Sequence, residues 1–257
     1  MRIVIKVGTS TLAHATGHIN IRRVEQLCKV MSDLKNAGHE LVLVSSGAIG
    51  MGVGKLSLKA RPTDMATKQA AAAVGQCELM YTYDKLFAEY HHTVAQILLT
   101  GADLSHNDRR DNFRNTLFRL LELGALPIVN ENDTVATEEI VIGDNDTLGA
   151  IVATHTQADL LILLSDIDGL STADPHTDPA ASLLTEVCEI TPAIEAMVGG
   201  AGTKLGTGGM ATKLSAAKIA TEAGITMVIA NGKDPAVLYD IVEGKPVGTR
   251  FIAKENA

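Results

Sequence analysis

The chain has 257 residues, 46% hydrophobic and 20% charged, which is enough for a large apolar core in one globular unit and excludes a disordered or fibrous chain. Its 22 Lys and Arg against 30 Asp and Glu give a formal charge of −8, which argues against nucleic acid or an anionic membrane surface as main partner. Cys28, Cys77 and Cys188 are odd in number and lack CxxC spacing, so neither a disulfide framework nor a zinc site is expected. The opening MRIVIKVG is too short for a signal peptide and Leu160–Leu164 too short to span a bilayer, so the expected setting is a reducing cytoplasm.

The apolar run Ile3-Val4-Ile5 with Val7 predicts a strand covered on both faces, as in a parallel sheet. Lys6 interrupts it, and Gly8-Thr9-Ser10 follows, placing an ammonium and a glycine turn at a strand's carboxyl end, where open α/β sheets keep ligands. Asn20 is a helix cap for Ile21, Val24, Leu27, Cys28, Met31 and Leu34, with Gly38 as the stop. A second buried strand, Leu41–Val44, runs into Ser45-Ser46-Gly47-Ala48-Ile49-Gly50; Gly50, Gly52 and Gly54 read as a flexible loop. The repetition of strand, glycine turn and helix predicts an α/β architecture.

An alanine-rich helix over Asp64–Glu89, a strand over Thr93–Leu99, a helix over Asn112–Leu123 and a strand over Leu126–Val129 follow, with the histidines scattered on the surface. The last strand delivers Asn130-Glu131-Asn132-Asp133-Thr134. A hairpin-like stretch, Val135–Ile142, then leads to Gly143-Asp144-Asn145-Asp146-Thr147 and a helix over Leu148–Thr154. One helix needs one cap, supplied by Asp144 or Asn145. The surplus polar groups among Asn130, Asp133, Asp144, Asn145 and Asp146 therefore mark a candidate ligand site.

A strongly apolar strand, Asp159–Leu164, ends in Ser165-Asp166-Ile167-Asp168-Gly169. These are turn formers or site residues, because the remaining ligands of a calcium loop are missing. From Gly199 to Gly209 the chain places six of its 23 glycines, and the run closes Thr207-Gly208-Gly209-Met210-Ala211-Thr212-Lys213. Glycine-rich backbone opening onto a helix offers free N–H groups and a positive dipole end to phosphate, with Lys213 in the first turn. Helical spacing of Met210, Leu214, Ala217 and Ala220, with a stop at Gly224, supports the helix. No Gly-Lys pair is followed by Ser or Thr, so a P-loop is excluded. Gly206, Gly208 and Ala211 fit a permissive dinucleotide pattern, but the next strand, Ile225–Ile229, ends without the acid that pattern needs. A final strand-like piece covers Gly248–Ala253.

Together, Lys6-Val7-Gly8-Thr9-Ser10, Ser45-Ser46-Gly47-Ala48, Asn130-Glu131-Asn132-Asp133, Gly143-Asp144-Asn145-Asp146 and Gly206–Lys213 resemble, in order, the motifs of the amino-acid kinase family, in its glutamate-phosphorylating branch. The resemblance implies a single amino-acid kinase domain over residues 1–257. Its fold would be a three-layer αβα sandwich around a mainly parallel sheet, with acceptor bound by the N-terminal half and ATP by the C-terminal half. It implies ATP-dependent phosphorylation of the L-glutamate side-chain carboxylate, the entry to proline biosynthesis, or of another carboxylate acceptor.

Carried over by motif, Lys6, Lys213 and Asp146 would be catalytic, the two ammonium groups flanking the phosphoryl group and Asp146 holding them. Ser46, Gly47, Asp133 and Asn145 would bind the acceptor. Lys6, Gly8, Ser165, Asp166, Thr207, Gly208, Gly209, Met210, Ala211, Thr212 and Lys213 would bind ATP, with Mg²⁺ carried mainly on its phosphates and no protein metal ligand assigned. The resemblance further implies a homodimer or homotetramer, proline as feedback inhibitor, and hand-off of product to glutamate-5-semialdehyde dehydrogenase. Ser45 and Ser165 stand where relatives often have Thr, and the sequence ends before the small RNA-binding-like PUA domain that many relatives append.

This assignment suits the chemistry, since a carboxylate of ordinary pKa about 4.3 is already ionised at neutral pH and its attack needs no general base. Phosphoryl transfer instead needs alignment and positive charge where negative charge spreads. Three rivals remain open at this level: a kinase for acetylglutamate, aspartate, carbamate or a nucleoside monophosphate; a non-catalytic ligand sensor; and a dinucleotide-dependent oxidoreductase.

Overall fold

The computed structural model describes residues 1–14, 16, 18–136, 144–173, 178, 180–198 and 209–254. Strand β1 (Arg2–Val7) is followed by a one-turn helix α1 (Thr9–Leu12) and by α2 (Ile21–Asn36), whose Asn20 cap accepts from the Arg23 amide as the sequence predicts. Then come β2 (Glu40–Ser45), α3 (Ala48–Lys55), α4 (Met65–Ala88) and β3 (Val94–Leu99). The middle of the chain holds α5 (Gly101–Ser105), α6 (Asn107–Glu122), β4 (Leu126–Glu131), α7 (Asn145–Thr156) and β5 (Leu160–Ser165). It closes with β6 (Glu186–Val187), α8 (Pro192–Val198), α9 (Met210–Glu222), β7 (Thr226–Asn231), α10 (Val237–Val242) and β8 (Thr249–Phe251).

Among the described residues, the eight strands join one sheet in the order β3-β4-β2-β1-β5-β7-β8-β6, and every pairing is parallel except β7 with β8. Parallel strands are covered on both faces, and β5, Leu160–Ser165, is buried along its whole length. Alternation along β1 sends Ile3, Ile5 and Val7 into a core shared with α2 and α4. It sends Val4 into a second core, shared with α6, α7 and α9. The result is a three-layer αβα sandwich. The chain builds leftward from β1 to β2 and later returns to β5 on its other side, so the carboxyl ends of β1, β2, β4 and β5 converge at a reversal of strand order.

The structure departs from the sequence reading at Gly50, Gly52 and Gly54, which lie in α3 rather than in a loop. Close packing is the cause: a Cβ on Gly52 would collide with the Ala71 carbonyl of α4, and one on Gly75 with the Ala48 carbonyl of α3. Helix α6 starts at Asn107, earlier than the predicted Asn112, and the final strand shortens to Thr249–Phe251. Of the hairpin-like stretch, residues 137–142 lie outside the described residues, as does Gly199–Gly208 of the glycine run. Among the described residues no helix is long and apolar enough to cross a membrane.

Candidate active site

The centre of the site is Asp146, in the first turn of α7. It is only 1% exposed, and its two oxygens face two cations. Lys6 Nζ lies 2.6 Å from Oδ1, and Lys213 Nζ donates to Oδ2 at 3.0 Å. Thr212 Oγ1 adds a bond to Oδ2 at 3.1 Å and another to the Gly209 carbonyl at 2.7 Å, tying the start of α9 to α7. Lys6 occupies this place because it falls, like Val4, on the α7 side of β1. Gly149 on α7 leaves room for its stem: a Cβ there would sit 3.4 Å from Lys6 Cβ. Burial alone would raise the Asp146 carboxyl, but the ammonium groups of Lys6 and then Lys213 outweigh it and hold it below the ordinary carboxylate range. The carboxylate therefore stays charged, as two buried lysines require.

On the β2 and β4 side, Asn145 Nδ2 reaches the Ser45 carbonyl at 3.2 Å, Ser46 Oγ at 2.8 Å and Asn130 Oδ1 at 3.0 Å, joining three predicted motifs in one cluster. Gly47 follows with φ of 107°, a left-handed conformation that suits glycine and turns the chain from β2 into α3. Asp144 is the cap of α7, accepting from the Thr147 amide at 2.8 Å, which leaves Asn145 and Asp146 for the site. Asp133 follows the end of β4; burial, then the charge of Glu131, push its carboxyl up to about 6. That elevation leaves room for a cationic partner to bring it back down.

Beyond β5, Ser165 Oγ donates to Asp166 Oδ1 at 3.1 Å, and Asn231 Nδ2 to Asp168 Oδ1 at 2.7 Å. Gly8 caps α1 and its amide points at the Leu164 carbonyl, so β1 and β5 present Gly8 and Ser165 side by side. Gly209, the cap of α9, precedes Met210, Ala211, Thr212 and Lys213 in the first turn; Thr207 and Gly208 lie outside the described residues. No group of three His, Cys, Asp or Glu able to hold a metal gathers among the described residues.

The sequence reading missed two glutamines of α4. Gln76 Oε1 accepts from Asn130 Nδ2 at 2.9 Å, and Gln69 Nε2 reaches the Ala136 carbonyl at 3.3 Å. Their signal was faint: two amides seven residues apart, hence on one helix face, in a segment otherwise read as structural.

A profile of the amino acid kinase family matches residues 1–231. The chain is 55% identical over 259 residues to the glutamate 5-kinase of Clostridium perfringens, covering 99% of this chain and 96% of that one. It is 55% identical over 259 residues to the glutamate 5-kinase of Listeria innocua, at 99% and 94% coverage. The glutamate 5-kinase of Moorella thermoacetica is 54% identical over 255 residues, with 99% of this chain and 68% of that longer protein covered. Among solved structures, the fold resembles carbamate kinase from Giardia lamblia bound to AMP-PNP, with TM-score 0.70, 17% identity and 98% of each chain covered. It also resembles the isopentenyl phosphate kinase product complex of T. acidophilum, with TM-score 0.68, 17% identity and 98% and 100% coverage. By its sequence motifs, its sheet order and these likenesses, the chain belongs to the amino-acid kinase family.

Proposed function

We propose that the chain transfers the γ-phosphoryl group of ATP to the side-chain carboxylate of L-glutamate, giving L-glutamyl 5-phosphate and ADP, the entry step of proline biosynthesis. The observation that carries this reading is the pair of ammonium groups, Lys6 and Lys213, held on the two oxygens of Asp146. The likeness to glutamate 5-kinases supports the choice of acceptor.

In this reading the acceptor sits between Ser46, Gly47, Asn145 and Asp133, and the nucleotide lies toward Gly8, Ser165, Asp166 and the residues from Gly209 to Lys213. The acceptor half is thus N-terminal and the nucleotide half C-terminal within one domain. Asp133 answers the substrate's α-ammonium, a charge-assisted contact that selects an amino acid over a plain dicarboxylate. The γ-carboxylate oxygen attacks phosphorus, the bond to the ADP oxygen breaks, and Lys6 and Lys213 stabilise the charge that spreads on the phosphoryl oxygens. Mg²⁺, when bound to the ATP phosphates, neutralises charge there. Cytoplasmic residence, a homo-oligomer, inhibition by proline and hand-off to glutamate-5-semialdehyde dehydrogenase belong to the same proposal.

The test is ADP release with L-glutamate, acetylglutamate, aspartate, carbamate and a nucleoside monophosphate, with hydroxylamine present to trap acyl phosphate. L-Glutamate should give ADP and a γ-hydroxamate. Preference for another acceptor would replace the substrate, and NAD(H) binding without ADP release would replace the reaction class.

A further inference from the structure

We infer that Gln76, through Asn130, is a positioning residue that aims Asn145 and Ser46 at the acceptor, and so sets acceptor affinity without touching the phosphoryl group; this rests on the function proposed above. The orientation of each amide in the chain is forced by its neighbours. The Glu131 backbone N–H donates to Asn130 Oδ1 at 2.9 Å, so that atom is the oxygen, and Asn145 Nδ2 donates to it at 3.0 Å. The other end of the Asn130 amide is therefore the NH₂ group, and it meets Gln76 Oε1 at 2.9 Å. Asn145 in turn divides its NH₂ among Asn130 Oδ1, the Ser45 carbonyl and Ser46 Oγ. The relay thus runs from α4, across the end of β4, to the start of α7 and the end of β2.

Gln76 and Asn130 are nearly closed to solvent, 9% and 2% exposed, so water does not replace a lost partner readily. The relay also leaves Gln76 Nε2 buried without an acceptor among the described residues. An orphaned buried donor is a cost that methionine at this position would avoid, so packing alone gives no reason for an amide here. The placement is fixed by the preceding residue: at Gly75 the α4 backbone lies against the Ala48 carbonyl at the start of α3. Two turns earlier on the same face, Gln69 holds the Ala136 carbonyl, so one face of α4 supports both ends of the segment that carries Asp133.

Gln76→Met keeps the size and removes the acceptor; Gln76→Asn withdraws it by one methylene and serves equally if the first variant does not fold. Affinity for L-glutamate is measured by titration calorimetry, and KM and kcat by ADP release. The expected result is an L-glutamate Kd and KM about tenfold higher, the loss expected for one buried hydrogen bond, with ATP KM and kcat within about threefold of the parent. In an Asn145→Ala background, where the relay is already cut, the same substitution should change the L-glutamate Kd by less than about twofold. An unchanged L-glutamate Kd, equal rises for glutamate and ATP, or full additivity with Asn145→Ala overturns the inference while leaving the kinase reading intact. A parent chain that binds glutamate without releasing ADP overturns the kinase reading but not the relay, and one that does not bind glutamate overturns both.

Discussion

Lys6 and Lys213 come from the first strand and from a helix near the other end of the chain, yet they grip opposite oxygens of a single carboxylate, at 2.6 Å and 3.0 Å. Two buried ammonium groups would otherwise repel each other, and Asp146 offsets that repulsion while keeping both heads at one place. Asp146→Asn keeps the shape and removes the charge. It should destabilise the fold by about 3–5 kcal/mol in urea unfolding and lower kcat by about a hundredfold or more. Because the folded carboxyl is held below its ordinary value, its stabilisation is present above the unfolded pKa. It is lost as the pH falls through the folded one, and the variant should lack that acid-side loss.

Lys213→Met addresses the transfer step separately from acceptor binding. Since Lys213 pairs with Asp146 while Ser46 pairs with Asn145, kcat should fall about a hundredfold or more while the L-glutamate Kd stays within about threefold. Calorimetry beside steady-state ADP release checks both halves of that expectation.

With Asp133 in its proposed role against the substrate's α-ammonium, acceptor binding should be sensitive to mild acid. Burial and then Glu131 set its carboxyl at about 6, and only the ionised form pairs with an α-ammonium. Protonation below that value removes the partner, so the L-glutamate Kd, measured without nucleotide, should rise about tenfold between pH 7 and pH 5. Asp133→Asn should bind weakly at both pH values and lose this slope.

Two glycines of α3 should respond oppositely to alanine. A Cβ on Gly50 would meet Thr9 Cγ2 at 3.4 Å, an ordinary contact, so Gly50→Ala should gain up to about 1 kcal/mol of helix propensity. At Gly52 the Cβ would run into the Ala71 carbonyl, so Gly52→Ala should cost about 3 kcal/mol by forcing α3 from α4. Thermal melts of the two variants read the contrast.

These glycines also show where the sequence falls silent. The continuous apolar runs of β1, β2 and β5 and the cap at Asn20 are local signals, and each appears where the sequence places it, while the structure picks Asp144 from the two candidate caps of α7. Gly50, Gly52 and Gly54 read locally as a loop because glycine weakens a helix; the reason for a helix there is the backbone of α4, which no window of neighbours contains. The short helices α1, α8 and α10 are too brief for an apolar period. In the site, the motifs containing Lys6, Asp146 and Lys213 were legible as separate strand ends and helix starts, while their meeting on one carboxylate was implied by the family resemblance and by no local pattern. Gln76 stayed hidden because a buried amide and a surface amide look alike in a sequence.

The central claim, that a carboxylate oxygen attacks the phosphorus held between Lys6 and Lys213, is tested most directly by isotope transfer. L-Glutamate labelled with ¹⁸O in its side-chain carboxylate is incubated with the chain, Mg²⁺-ATP and hydroxylamine, and the phosphate released from the trapped acyl phosphate is weighed by mass spectrometry. Hydroxylamine displaces phosphate at the carbonyl carbon, so each phosphate should carry one ¹⁸O atom; phosphate with none would contradict the account.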